Sequence, residues 1–135
     1  MNAVSAVVIR ADGRVLLVRR GKAPLEGVLT LPGGRVEPAE APEAAAAREV
    51  REETSLEVIA TEHVTTVDVA ATESTPPYAI AVFATRLVSP ADDAHAASDA
   101  TEICWADVAS LASLGVPAET RAAVALALAL DAARA

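Results

Sequence analysis

A chain of 135 residues that is 53% apolar is long enough to bury a core and too apolar to be disordered. Its 19 acidic against 11 basic residues leave a formal charge of −8 with no basic stripe, which argues against DNA, RNA or an anionic membrane surface as partner. An acidic protein acting on an anionic substrate needs a cation, so the same balance suits a metal-dependent phosphate enzyme.

Residues 3–10 are rich in Val and Ile and are expected to form a strand; Asp12-Gly13 supplies a hairpin turn and residues 15–19 the return strand. Residues 21–27, with Lys22, Pro24 and Gly27, are expected to be a loop, followed by a short strand at 28–31 that Pro32-Gly33-Gly34 ends. Two adjacent glycines allow positive φ and close backbone approach to a ligand; alone they read equally well as a tight turn.

The clearest helix spans residues 41–54, with Pro42 in its first turn, Glu43 at the positive end of the dipole and alanines at 44–47. Residues 56–69 are β-branched and predict one or two strands, 70–77 a loop, and 78–88 a long alternating strand. An acidic loop at 89–99, a short strand at 102–106 around Trp105, and a short helix or turn at 108–114 follow. Residues 117–134 predict a second helix, apolar on almost all sides, which is therefore core or a subunit contact in a homodimer. The order of elements predicts an α/β domain, residues 1–135, with helices on the faces of a mixed sheet.

Cys104 is the only cysteine; beside Trp105 it reads as a buried small hydrophobe rather than a nucleophile. Residues 4–9 are too short for a secretory signal and 122–130 too short to span roughly 30 Å of hydrocarbon, so a cytoplasmic location is the default expectation.

The chemistry is concentrated near the end of the first helix. Glu49, Glu52 and Glu53 stand at i, i+3 and i+4 and share one face. Like charges at that spacing repel, and they lie toward the negative end of the helix dipole. Arg51 projects elsewhere, whereas Arg48 reaches Glu52 one turn on. A divalent cation would turn the repulsion into attraction, because Mg²⁺ takes hard carboxylate oxygens together with water and substrate phosphate. Without that context a solvated acidic face is the simpler reading.

With the residues upstream the pattern closes. Gly34, Glu40 after five intervening residues, Arg48-Glu49-Val50 after seven more, Glu52-Glu53 and Ser55-Leu56 resemble the signature of the Nudix family, and Leu31-Pro32-Gly33-Gly34 resembles its usual entry. The opening hairpin, the Glu102–Trp105 segment and the terminal helix are similar to the family's layout, so the resemblance covers most of the chain, although only the box is specific. It implies an α/β/α sandwich around a mixed β-sheet. It implies Mg²⁺- or Mn²⁺-dependent hydrolysis of a nucleoside diphosphate linked to another group, with ADP-ribose or a related nucleotide sugar as the favoured substrate. Glu49, Glu52 and Glu53 would hold the metal with the Gly33 carbonyl, while Arg48 and Glu40 would hold the loop against the helix. Either Glu53 or a carboxylate of the acidic loop would take a proton from the attacking water.

Three departures stand out. Ser55 replaces the signature's final glycine, where a left-handed residue is common at a helix end and a side chain costs on the order of 1 kcal/mol. Leu29 stands where relatives often carry Trp. Ala100 stands where some carry a glutamate, leaving Asp99 or Glu102 to take its part. Gly34, Arg19, Arg20 and Lys22 are candidate phosphate contacts, the basic residues reading equally as a solvated strand end. His63 and His95 have no zinc-like spacing and read as surface or loop residues, and Trp105 as core. A nucleoside triphosphate pyrophosphatase shares the same box and is the rival activity. A noncatalytic nucleotide-binding module would be expected to lose one of the glutamates.

Overall fold

The computed structural model describes residues 2–21 and 26–134; Lys22 and Pro24 of the expected loop lie outside the described residues. Seven strands and two helices follow in order: β1 (Asn2–Val7), β2 (Val15–Arg20), β3 (Leu29–Thr30), β4 (Gly33–Arg35), α1 (Pro42–Thr54), β5 (Val58–Val69), β6 (Tyr78–Leu87), β7 (Ala100–Ala106) and α2 (Ala118–Arg134), with single 3₁₀ turns at Ala91–Asp93 and Val108–Ser110. The strands form two sheets. One is mixed, in the order β4-β1-β6-β5 with β1 and β6 parallel; the other is antiparallel, in the order β3-β2-β7.

The expected opening hairpin is therefore corrected. Its turn is present, with Gly13 at φ 87 and Arg10 N–H donating to Arg14 O at 2.8 Å. Past the single bridge Ile9–Val15, however, the two strands part into different sheets. The reason lies in their composition. Ala6, Val7 and Val8, and Val15 to Val18, are all fully buried or nearly so, and such unbroken apolar runs need cover on both faces. Each strand accordingly becomes the centre of its own sheet, β1 between β4 and β6 and β2 between β3 and β7.

Alternate residues of these central strands point into two cores. Val4, Ala6, Val8, Leu16 and Phe83 pack with Ala45, Ala46 and Val50 of α1, while Val7, Val15, Leu17 and Val82 pack with Ala123, Val124 and Ala127 of α2. The helices thus cover opposite faces, which gives an α/β/α sandwich. Helix α2 buries one stripe only: Leu126 is 51% exposed, so the apolar residues around the helix do not make it central. Among the described residues no helix is long and apolar enough to cross a membrane.

The expected glycine turn is also corrected. Gly33 and Gly34 continue as β4, antiparallel to β1 with Ser5 opposite Gly33 and Val4 opposite Gly34, and neither is among the positive-φ glycines. What requires glycine is proximity, since a Cβ on Gly33 would lie 2.2 Å from the Val4 carbonyl oxygen and 2.9 Å from Ser5 Cα. Both are backbone atoms and cannot swing aside. Gly33→Ala is expected to separate β4 from β1 and lower stability by about 2–3 kcal/mol, read from the shift in urea midpoint. An unchanged midpoint would show that the two strands can spread at no cost.

Candidate active site

Helix α1 delivers its carboxylates to β4. Pro42 opens the helix, and Ser55 closes it at φ 65 with its N–H donating to Arg51 O at 2.9 Å, so the left-handed cap expected at this departure is present. Between them Val50 and Ala46 face the core, and this fixes the rotation of the helix. Glu53 then points inward: it is only 6% exposed, and its Oε1 accepts from Gly33 N–H at 2.9 Å. Glu49 lies beside Gly34, where a Cβ would come within 2.5–2.7 Å of all three carboxylate atoms. Glu52 is the outermost of the three.

Arg48 ties the cluster to the incoming loop. Its Nε and Nη2 grip both oxygens of Glu40 at 2.8 and 3.0 Å, and Nη2 also donates to Arg35 O at 2.9 Å. Nη1 reaches Glu49 at 2.9 Å and Glu52 at 3.2 Å. Glu40 in turn accepts the Glu37 N–H at 3.0 Å. The paired arginine holds the Glu40 carboxyl down at about 2, and the carboxylates push the Arg48 guanidinium up. The planar fork is what allows one side chain to hold a carboxylate, a carbonyl and the glutamate pair together.

Burial drives the other two carboxyls the opposite way. It pushes Glu53 up to about 7, aided by the charges of Glu49 and Asp99 and opposed by the Gly33 N–H and by Arg20. It also raises Glu49, against the pull of Arg48. The charges of Arg20 and Asp99 are thus felt at the glutamates. The Asp99 carbonyl accepts the Gly21 N–H at 2.8 Å, which holds the end of β2 beside the start of β7.

Arg19 and Glu102 stand apart from this group. As cross-strand partners they pair with each other at 3.2 Å, and Arg19 Nη1 also donates to Gly27 O at 2.7 Å. Adjacent residues of a strand face opposite ways, which separates Arg19 from Arg20. Trp105 packs against the α1 core with the Arg10 guanidinium 5.2 Å from its ring centroid, and Cys104 is half-buried against the other core.

Among the described residues no three His, Cys, Asp or Glu side chains already converge as a metal site. Instead Glu49 and Glu52 both turn to Arg48, and Glu53 to the Gly33 amide. The donors nevertheless fit a hard divalent cation. They are carboxylate oxygens on one helix face, two of them short of solvent, beside a strand whose missing Cβ leaves Glu49 room. Two open grooves of about 340 and 420 Å³ lie elsewhere, between α2 and β5, and share no residue with this cluster. We take the cluster rather than the grooves as the candidate site, because it gathers carboxylates whose pKa burial raises, beside a cation and a close backbone strand.

Sequence reasoning missed one contact. His95, read as a loop residue, has its Nε2 2.9 Å from Ser55 Oγ. The two are 40 positions apart, and only the departure at position 55 marked either of them.

A sequence profile of the NUDIX domain matches residues 1–127. An ADP-ribose pyrophosphatase of Methanocaldococcus jannaschii is 45% identical over 49 residues, which is 36% of this chain and 29% of that protein, so the match spans under a third of that relative. Among solved structures, the MutT protein of Methanosarcina mazei Go1 superposes with a TM-score of 0.81 at 25% identity over 97% of this chain and 94% of that one. The NUDIX domain of Shewanella oneidensis NrtR, complexed with ADP ribose, superposes at 0.75 with 19% identity over 94% and 85%.

Proposed function

The chain belongs to the NUDIX family of hydrolases, and from that premise we propose that it hydrolyses the diphosphate bond of a nucleoside diphosphate linked to another group, with ADP-ribose or a related nucleotide sugar as substrate. The observation that carries this reading is the carboxyl pair of buried Glu53 and half-buried Glu49, set against the two glycines of β4. The name of the M. jannaschii relative and the ligand of the S. oneidensis domain support the choice of substrate.

Bound Mg²⁺ or Mn²⁺ would neutralise the diphosphate and lower the pKa of a water molecule, held by Glu49, Glu52, Glu53 and the Gly33 carbonyl. Glu53 takes the proton of the attacking water: the Gly33 N–H occupies its Oε1 and fixes its rotamer, and Oε2 is left for the proton. Asp99 supplies a second carboxylate across the site, and Arg20 a cation toward the substrate phosphates. Gly34 lets the phosphates approach the backbone of β4. Arg48 holds Glu49 and Glu52 together from outside the reaction.

Product identity tests the substrate class. ADP-ribose cleaved to AMP and a sugar phosphate supports the reading. A nucleoside triphosphate cleaved to monophosphate and pyrophosphate would replace it with the rival activity. Binding of nucleotide without turnover would point to a noncatalytic module, against which the complete set of glutamates speaks.

A pH effect follows from Glu53. Its folded pKa lies above the ordinary value of 4.5, so the stability it contributes to the metal-free protein is present below about 4.5 and lost as pH rises to about 7. Metal needs the ionised form and must displace that proton below 7. The rise in Tm caused by Mg²⁺ is therefore expected to grow from pH 5.5 to pH 7.5 and then level off. A pH-independent rise would show that Glu53 is not a ligand.

A further inference from the structure

The acidic loop between β6 and β7 is fastened to the end of α1, and we infer that the Ser55–His95 hydrogen bond is the fastening that positions Asp99 against the glutamate cluster. A helix ends with carbonyls that lack intrahelical donors. In α1 the loop supplies two of the missing donors, His95 N–H to Thr54 O and Ala97 N–H to Glu53 O, both at 3.0 Å. Asp99 follows two residues later, after Ser98 at φ 54, and its carbonyl is held in turn by Gly21 N–H. The segment from 95 to 99 therefore runs directly from the backbone of Glu53 to the end of β2.

The side chains secure this path. His95 Nδ1 lies 3.3 Å from the Asp93 carbonyl, which can only accept, so Nδ1 carries the proton and Nε2 accepts the Ser55 hydroxyl at 2.9 Å. Ala94 adds an apolar contact with the α1 core. The glycine of the family signature would take φ 65 without strain but has no hydroxyl to offer. This chain accepts a strained cap and gains an anchor for the loop. His95 is thus a positioning residue acting through the loop. Its consequence for catalysis rests on the hydrolase reading above, whereas the fastening itself does not.

The test uses His95→Ala, His95→Gln and Ser55→Gly. In the metal-free protein, His95→Ala and Ser55→Gly are expected to speed amide exchange at residue 97 at least about tenfold while leaving Ala45 in the first turn of α1 unchanged. With substrate, both are expected to lower kcat about three- to tenfold with KM within about twofold, because Asp99 acts on the reacting centre rather than on binding. Glutamine can accept the Ser55 hydroxyl through Oε1 and is expected to restore most of both losses. Ser55→Gly is also expected to raise Tm by about 2–4 °C through relief of the left-handed strain, so that stability and activity move in opposite directions. Unchanged exchange at residue 97 in His95→Ala overturns the fastening whatever the activity. A loosened loop with wild-type kcat, or a glutamine variant no better than alanine, overturns the positioning of Asp99.

Discussion

Glu53→Gln is expected to lower kcat at least about 10³-fold and to leave the metal-free fold about as stable as the wild type at pH 4 and more stable at pH 8. Glutamine keeps the oxygen that accepts the Gly33 N–H, so the strongest structural contact of this side chain survives. What is lost is the charge. A general base contributes about 10²–10⁴ in rate, and loss of a metal ligand adds to it. The stability effect has the opposite sign because burial already resists the carboxylate, as its rise to about 7 shows. Above that pH the wild type carries a desolvated anion and the glutamine variant does not. Thermal melts at the two pH values, paired with steady-state rates, check both halves. A variant that is inactive because it is unfolded would leave the role of Glu53 without support.

Arg48→Lys should be almost as damaging as Arg48→Ala, both to stability and to rate. One guanidinium satisfies Glu40 through two bonds, the Arg35 carbonyl, Glu49 and Glu52, and its side chain is only 16% exposed. An ammonium has the charge without the planar fork and cannot make the lateral pair to Glu40 while reaching Glu49. Removing one partner of a largely buried ion pair costs about 3–5 kcal/mol; with solvent at the rim, about 2–3 kcal/mol is expected here, together with a loss of at least about tenfold in kcat/KM. Because Glu40 is held near 2 chiefly by this pairing, with the Glu37 N–H adding to it, the variant should also lose most of the stability that wild-type Glu40 contributes above pH 4.5, a contribution that fades as pH falls toward 2. Urea titrations at pH 3 and pH 7 measure this. A lysine variant with wild-type stability at pH 7 would mean that charge alone, without the fork, holds the loop.

The glutamate face was legible in the sequence because helical spacing is local: residues at i, i+3 and i+4 share a side whatever the rest of the chain does. The α1 boundaries were legible for the same reason, from Pro42 and the left-handed site at Ser55. The hairpin was not, because Asp12-Gly13 encodes a turn but not how far the flanking strands stay together. That was decided by the demand of two apolar strands for cover on both faces. Gly33 and Gly34 were marked partly for positive φ, which neither adopts. Their need is room for Val4 and Glu49, which no local pattern displays. Arg19 and Arg20 are indistinguishable in sequence, and only the register with Glu102 on β7 separates them. His95 reached the site through an acidic loop whose path is set by the open carbonyls of α1, and its partner lies too far away in sequence to suggest it.

The central claim is metal-dependent cleavage at the α1 carboxylates. The most direct measurement is the release of AMP from ADP-ribose by the wild-type protein in Mg²⁺, in chelator, and in chelator overcome by excess Mg²⁺. Release that stops with chelator, returns with the metal and is absent from Glu53→Gln is the predicted result. Release unaffected by chelator, or retained in the glutamine variant, would contradict it.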